Sequence, residues 1–149
     1  MKHLLLKKLI KKILINHNLI NEHAETCANA LINAELVGAP SHGLSRLRMY
    51  CERISKKVIN PKPKIKIKKI SQSISHIDAD NSIGFVAADT AIKVGIKNAK
   101  KTGIGLVAVK NSGHYGLSGY YAEQAVKKGL MVMVFTNAPP AVAPHGALK

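Results

Sequence analysis

The chain has no tryptophan, and its 149 residues include only two phenylalanines and four tyrosines. So few rings cannot build stacking platforms for nucleic-acid bases, and the core must be made mainly of aliphatic side chains. Cysteine is nearly absent too. Cys27 and Cys51 form no Cys-x-x-Cys pair and carry no secretory context, so reduced thiols are expected rather than a disulfide. Cys27 lies among Ala24, Ala28 and Leu31, which suggests packing. No apolar run approaches the ~20 residues of a membrane helix. The N-terminal leucines and isoleucines are broken by Lys7-Lys8 and Lys11-Lys12, with no small-residue cleavage site after them. That pattern is an amphipathic helix rather than a signal peptide, and a cytoplasmic address is expected.

Negative charge is scarce: 8 acidic residues face 23 lysines and arginines, for a net charge of +15. A balance this basic raises a nucleic-acid-binding module as one reading. Its distribution argues against specific binding. Only Arg46, Arg48 and Arg53 are arginine, and the lysines alternate with isoleucine and leucine as a solvated face does. Charge of this kind supports non-specific attraction alone, so no specific nucleic acid and no membrane partner are expected. Apolar residues make up 46% of the chain, ordinary for a folded protein of a size that buries a real core.

The hydrophobic periods predict an α/β architecture in two parts. Residues 3–16 read as a helix with Leu6, Leu9, Ile10, Ile13 and Leu14 at helical spacing. Asn21 can cap a second helix carrying Ala24, Cys27, Ala28, Leu31, Ile32 and Glu35, which Gly38 and Pro40 end. A third helix is predicted over Ser41 to Lys56. Pro61 and Pro63 mark a linker, dividing an N-terminal helical segment, 1–62, from an α/β segment, 63–149. In the second segment Lys64 to Lys68 alternates as a half-buried or edge strand, and Ser73 to Asp78 is a second strand. A turn at Asp80-Asn81-Ser82 leads to a helix over Ile83 to Lys101, with Phe85, Ala88, Ile92, Ile96 and Ala99 facing inward. Gly103 to Val109 is predicted as a buried strand, Leu117 to Lys128 as a helix, and Leu130 to Phe135 as another buried strand.

Three glycine-flanked histidines stand out: Ser41-His42-Gly43-Leu44-Ser45-Arg46, Asn111-Ser112-Gly113-His114-Tyr115-Gly116, and Pro144-His145-Gly146, the last following Thr136-Asn137-Ala138-Pro139-Pro140. On a helix from Ser41, His42 and Arg46 share a face one turn apart. Such a pair joins a proton donor near neutral pH to a planar, two-pronged carboxylate binder. A 2-oxo acid, with a carboxylate beside a reducible carbonyl, needs both. Gly113, Gly116 and Gly119 have Gly-x-x-Gly-x-x-Gly spacing, not the Rossmann Gly-x-Gly-x-x-Gly, and no acidic residue follows about 20 positions on. There is no His-Glu-x-x-His and no paired-cysteine zinc motif.

These segments, in order and suitably spaced, resemble the malate/L-lactate dehydrogenase family. Its members are NAD(P)-dependent 2-oxoacid reductases distinct from the better-known lactate and malate dehydrogenases, and include ureidoglycolate and sulfolactate dehydrogenase-like enzymes. Ser-His-Gly-x-x-Arg-x-x-x-Tyr is complete as Ser41, His42, Gly43, Arg46 and Tyr50; Asn-Ser-x-His-x-Gly is complete as Asn111, Ser112, His114 and Gly116; Thr-Asn-x-x-Pro ends at Pro140. The resemblance implies a mixed-sheet, non-Rossmann cofactor domain, a nicotinamide cofactor (NAD or NADP), a 2-oxo or 2-hydroxy acid substrate and a homodimer. It makes His42 and His114 both candidates for proton transfer, assigns Ser41, Arg46 and Tyr50 to the substrate, and Thr136, Asn137 and Ala138 to the nicotinamide. Family chains are much longer, and they often have Ser at the position of Ala138 and Gly at that of Ala147. A truncated or frame-disrupted product, or a deliberate fragment, inactive alone, is therefore expected. A second reading is a silent fragment that pairs with itself or with a full-length relative.

Overall fold

A computed structural model describes residues 2–137. Helices α1 (Lys2–Asn16) and α2 (Asn21–Leu36) pack on each other, and α3 (Leu47–Ser55) follows. Ile10 and Leu14 of α1 meet Cys27, Ala28 and Leu31 of α2 in one buried cluster, joined by Tyr50 of α3. Leu9, on the predicted stripe, is exposed instead. Asn21 is the first helical residue of α2, and Ile20 stands at the cap position without a side-chain bond. The end of α2 is as predicted. Gly38 takes φ +75°, its N–H meets Glu35 O at 3.2 Å, and Ala39 N–H meets Ala34 O at 2.8 Å. These two bonds close a Schellman turn, which satisfies the last carbonyls and points the chain away at Pro40.

The single helix predicted from Ser41 to Lys56 is not what forms. Two 3₁₀ turns, Pro40–His42 and Leu44–Arg46, meet at Gly43, and the α-helix begins only at Leu47. Pro40 starts the first turn without an N–H to give, and Gly43 has backbone angles of −100° and −135° that belong to no helix.

Strands β1 (Lys66–Lys69), β2 (Ile74–Ser82) and β3 (Leu106–Ser112) form a mixed sheet in the order β1-β2-β3. The β1–β2 pairing is antiparallel and β2–β3 parallel, the latter connected through α4 (Gly84–Thr102). A parallel pair requires such a crossover. β2 runs past the predicted turn to Ser82, absorbing Asp80 and Asn81 with φ of +51° and +55° in a register irregularity between Asp78 and Ser82. Only the first turn of α4, Gly84 to Ala87, is fully buried; Ala88, Ile92, Ile96 and Ala99 are half-buried. α5 (Ser118–Val126) closes the described elements.

Two predicted buried strands are corrected. β3 is displaced toward its C-terminal side and, although α4 packs on it, is mostly exposed at the edge of the sheet. The segment Leu130 to Phe135 forms no strand among the described residues, and Met131, Met133 and Phe135 are exposed. A strand needs a ladder partner for its backbone groups, and none of β1–β3 pairs with it. Among the described residues, no helix is long and apolar enough to cross a membrane.

Candidate active site

His42 and Arg46 are placed by the double 3₁₀ turn rather than by one helical face. Ser45 Oγ donates to Pro40 O at 2.6 Å, stapling the second turn to the first. Arg46 Nε donates to Ser41 O at 2.8 Å, which spends one guanidinium N–H and leaves the two terminal NH₂ groups without a bond among the described residues. Arg46 is exposed and His42 half-buried. The Ser41 hydroxyl lies 3.0 Å from His42 Nδ1.

His114 reaches the same place from the far end of the sheet. Near the end of β3 stands Asn111, at φ +54°, whose side-chain NH₂ donates to Asp78 Oδ1 at 2.9 Å. The chain then passes the first turn of α4 so closely that a Cβ on Gly84 would overlap the carbonyls of Gly113 and His114. Gly116 follows at φ +77°, and a Cβ there would stand 2.5 Å from the ring of Phe85. Tyr121 donates its hydroxyl proton to Tyr115 O at 2.7 Å, tying the loop to α5. Phe85, read from the sequence only as core, is thus also the floor of this loop. Its ring meets that of Tyr50 edge-on, with centroids 5.0 Å apart.

The two histidine rings stack, centroids 5.8 Å apart and planes 24° from parallel. Tyr50, wholly buried, places its hydroxyl 2.6 Å from His114 Nδ1, bridging residues 64 apart in sequence. Gly116 N–H also points at that nitrogen, at 3.3 Å. A backbone N–H can only donate, so Nδ1 is the acceptor and the ring proton of neutral His114 sits on Nε2. The Tyr50 hydroxyl is then a second donor to Nδ1. Partial burial holds the His114 pKa below its usual value, and the positive charges of His42, Arg46 and Arg53 add to the effect. Burial likewise pushes the Tyr50 phenol up, which keeps its proton in place.

Thr136 and Asn137 are exposed, and the Thr136 hydroxyl donates to Asn137 O at 3.2 Å. Among the described residues they form no hydrogen bond to the histidine cluster. Ala138, Pro139, Pro140, Pro144, His145 and Gly146 lie outside the described residues. No group of three or more His, Cys, Asp or Glu among the described residues is arranged to hold a metal ion.

The model of the malate/L-lactate dehydrogenase family matches residues 1–149. The chain belongs to that family. Among its relatives, L-sulfolactate dehydrogenase of Methanocaldococcus jannaschii is 39% identical over 140 residues, covering 94% of this chain and 41% of that protein. Malate dehydrogenase of Pyrococcus abyssi is 44% identical over 128 residues, covering 86% and 35%. The solved structure of Pyrococcus horikoshii malate dehydrogenase superposes with a TM-score of 0.81 at 39% identity, over 83% of this chain and 36% of that one. The chain thus spans about two-fifths of the length of the curated relatives it matches.

Proposed function

We propose that this chain carries the substrate-binding and proton-transfer groups of an NAD- or NADP-dependent dehydrogenase acting on a small 2-oxo or 2-hydroxy acid. The observation that carries the reading is the His42–His114–Tyr50 cluster with, three residues past Gly43, a guanidinium whose two NH₂ groups make no bond among the described residues. Arg46 takes the substrate carboxylate in two parallel bonds. His42, as imidazolium, faces the carbonyl oxygen. When the hydride enters the carbonyl carbon, the C=O π pair moves to oxygen, the His42 proton follows it, and His42 is left neutral. General acid assistance of this kind contributes ~10²–10⁴-fold. His114 is the weaker candidate for the acid, because two donors at Nδ1 and its lowered pKa keep it neutral. Its role is to offer Nε2–H to the oxygen as charge develops there. Tyr50 holds that ring in place, with Ser41 doing the same for His42.

A nicotinamide fits beside His114 in one respect: Gly113 is exposed backbone with space around it, since a Cβ there would meet only Ser82 O, at 3.9 Å. Thr136, Asn137 and Ala138 are the proposed further contacts. When bound, the cofactor supplies the hydride. The helical segment 1–62 then serves the substrate and 63–149 the cofactor, in a cytoplasmic protein with both thiols free.

NADH or NADPH oxidation, followed optically with a panel of 2-oxo acids, tests this. Turnover that survives Arg46→Ala and His42→Asn undiminished overturns it. A second reading, a fragment that pairs with itself or a longer relative, is favoured by the exposed apolar side chains of Leu106, Met131, Met133 and Phe135. Light scattering that returns a homodimer with no cofactor-dependent fluorescence change would select it.

A further inference from the structure

We infer that Glu35 is a positioning residue for His42 and Arg46, its carboxylate holding the Gly43 elbow that sets the two apart. Glu35 Oε1 accepts the N–H of Leu44 at 2.6 Å, across nine residues of chain and in a half-buried setting. Leu44 opens the 3₁₀ turn that runs on into α3, and the first N–H groups of such a run have no acceptor within it. Glu35 supplies that acceptor from the end of the preceding helix. Its main-chain carbonyl meanwhile takes Gly38 N–H in the turn that ends α2. One residue therefore closes α2 with its backbone and opens the next helical run with its side chain.

The fit at Gly43 is close. Gly43 is buried, and a Cβ there would overlap the Glu35 carboxylate, lying 2.8 Å from Cδ and 3.2 Å from Cγ. The carboxylate thus presses on the one residue between the two 3₁₀ turns, with His42 on one side of it and Arg46 three residues beyond. Other carboxylates in this lysine-rich chain pair with cations: Glu25 with Lys7 and Lys11, Glu52 with Arg48, Glu123 with Lys127. Among the described residues Glu35 has no such bridge and is given to a backbone N–H instead. If that acceptor is lost, the elbow is free to open, the His42 ring leaves His114, and Arg46 carries its charge away with it. The substrate reading above supplies only the purpose of this placement; the placement itself can be read without turnover.

The test compares Glu35→Gln, which keeps an acceptor oxygen, with Glu35→Met, near in size and without one. In the full chain with isotope-labelled histidine, nuclear magnetic resonance reads the Overhauser contact between the His42 and His114 rings and the titration of His114. The groups facing His114 are His42 and Arg46 from the two turns, and Tyr50 and Arg53 from α3. Glu35→Met should lose the contact, and His114 should titrate closer to 6.5 as it escapes the neighbouring charges. Glu35→Gln should keep both features of the parent. A folded Glu35→Met chain with the ring contact intact overturns the inference. So does Glu35→Gln behaving like Glu35→Met, or Glu35→Met failing to fold, since the group would then serve charge or the fold at large. Binding of a 2-oxo acid that survives Arg46→Ala undiminished, with the resonance results as expected, would sink the substrate reading and leave this one standing.

Discussion

At the scale of single residues, the cluster sets His114 in surroundings that disfavour its charged form. Burial of the His114 ring, with the charges of His42, Arg46 and Arg53 adding to it, makes its proton harder to add than in the unfolded chain. The linkage sign follows. A histidine with a depressed folded pKa binds protons more readily when unfolded, so stability is full above about 6.5 and falls as pH drops through that value toward the folded pKa. His23, also depressed by burial, acts in the same direction. The melting temperature should therefore fall between pH 7 and 5, and His114→Gln should reduce that fall without removing it. Thermal unfolding followed by circular dichroism across that range checks it; an unchanged slope in the variant would remove His114 from the account. Arg46 permits a second test. Lysine keeps the charge but lacks the planar fork, so in a complete enzyme Arg46→Lys should lower kcat/KM for a 2-oxo acid by roughly 10- to 100-fold, the worth of a charge-assisted hydrogen bond or so. A change smaller than twofold would mean the carboxylate binds elsewhere.

Among the elements, the loop from Asn111 to Gly116 depends on glycine at its last position. Gly116 is left-handed at φ +77° and its Cα faces the Phe85 ring. Alanine there meets a backbone penalty of roughly 1–2 kcal/mol and overlaps the ring as well. Gly116→Ala should lower the melting temperature and displace His114 from Tyr50, visible as a rise in the His114 pKa. An unshifted His114 titration would show that the loop yields elsewhere. Helices α1, α2 and α4 and strand β2 were legible because their signals are local, such as the 3.6-residue stripe of α2 and its Gly38-Pro40 stop. The site was legible in its residue types, as Ser-His-Gly and Gly-His-Tyr-Gly, but not in its backbone. Helical spacing from Ser41 missed the break at Gly43, because that break is set by Glu35 pressing from another helix, which no period in the sequence records. Nor could spacing reveal that Tyr50 Oη meets His114, since the contact exists only after α4 brings β3 back beside β2. The two buried strands failed for the opposite reason: apolar runs such as Leu130 to Phe135 mark what can be covered, not what is.

Taken whole, the molecule carries +15, and several of its lysines are paired with carboxylates. Lys7 and Lys11 lean on Glu25, Lys93 on Asp89, Lys110 on Asp78, and Lys127 on Glu123. Lys66, Lys68 and Lys69 line the exposed edge strand β1, where charge discourages pairing with another chain. Lysines dispersed in this way raise solubility and attract any polyanion weakly, yet they offer no forked donors in register with base edges, which is what sequence readout requires. Of the three arginines that could do so, Arg46 and Arg48 sit at the start of α3 and Arg53 in its last turn. Arg48 is tied to Glu52 and Arg46 to the Ser41 carbonyl. Duplex DNA should therefore bind loosely and without regard to sequence. By fluorescence anisotropy, unrelated duplexes should show matching affinities at each salt concentration, and affinity should fall by on the order of 10³-fold between about 50 and 200 mM salt if six or so phosphates are engaged. One duplex that stays bound at the higher salt while the others dissociate would overturn this, because counterion release weakens all of them alike and only base contacts could hold one back.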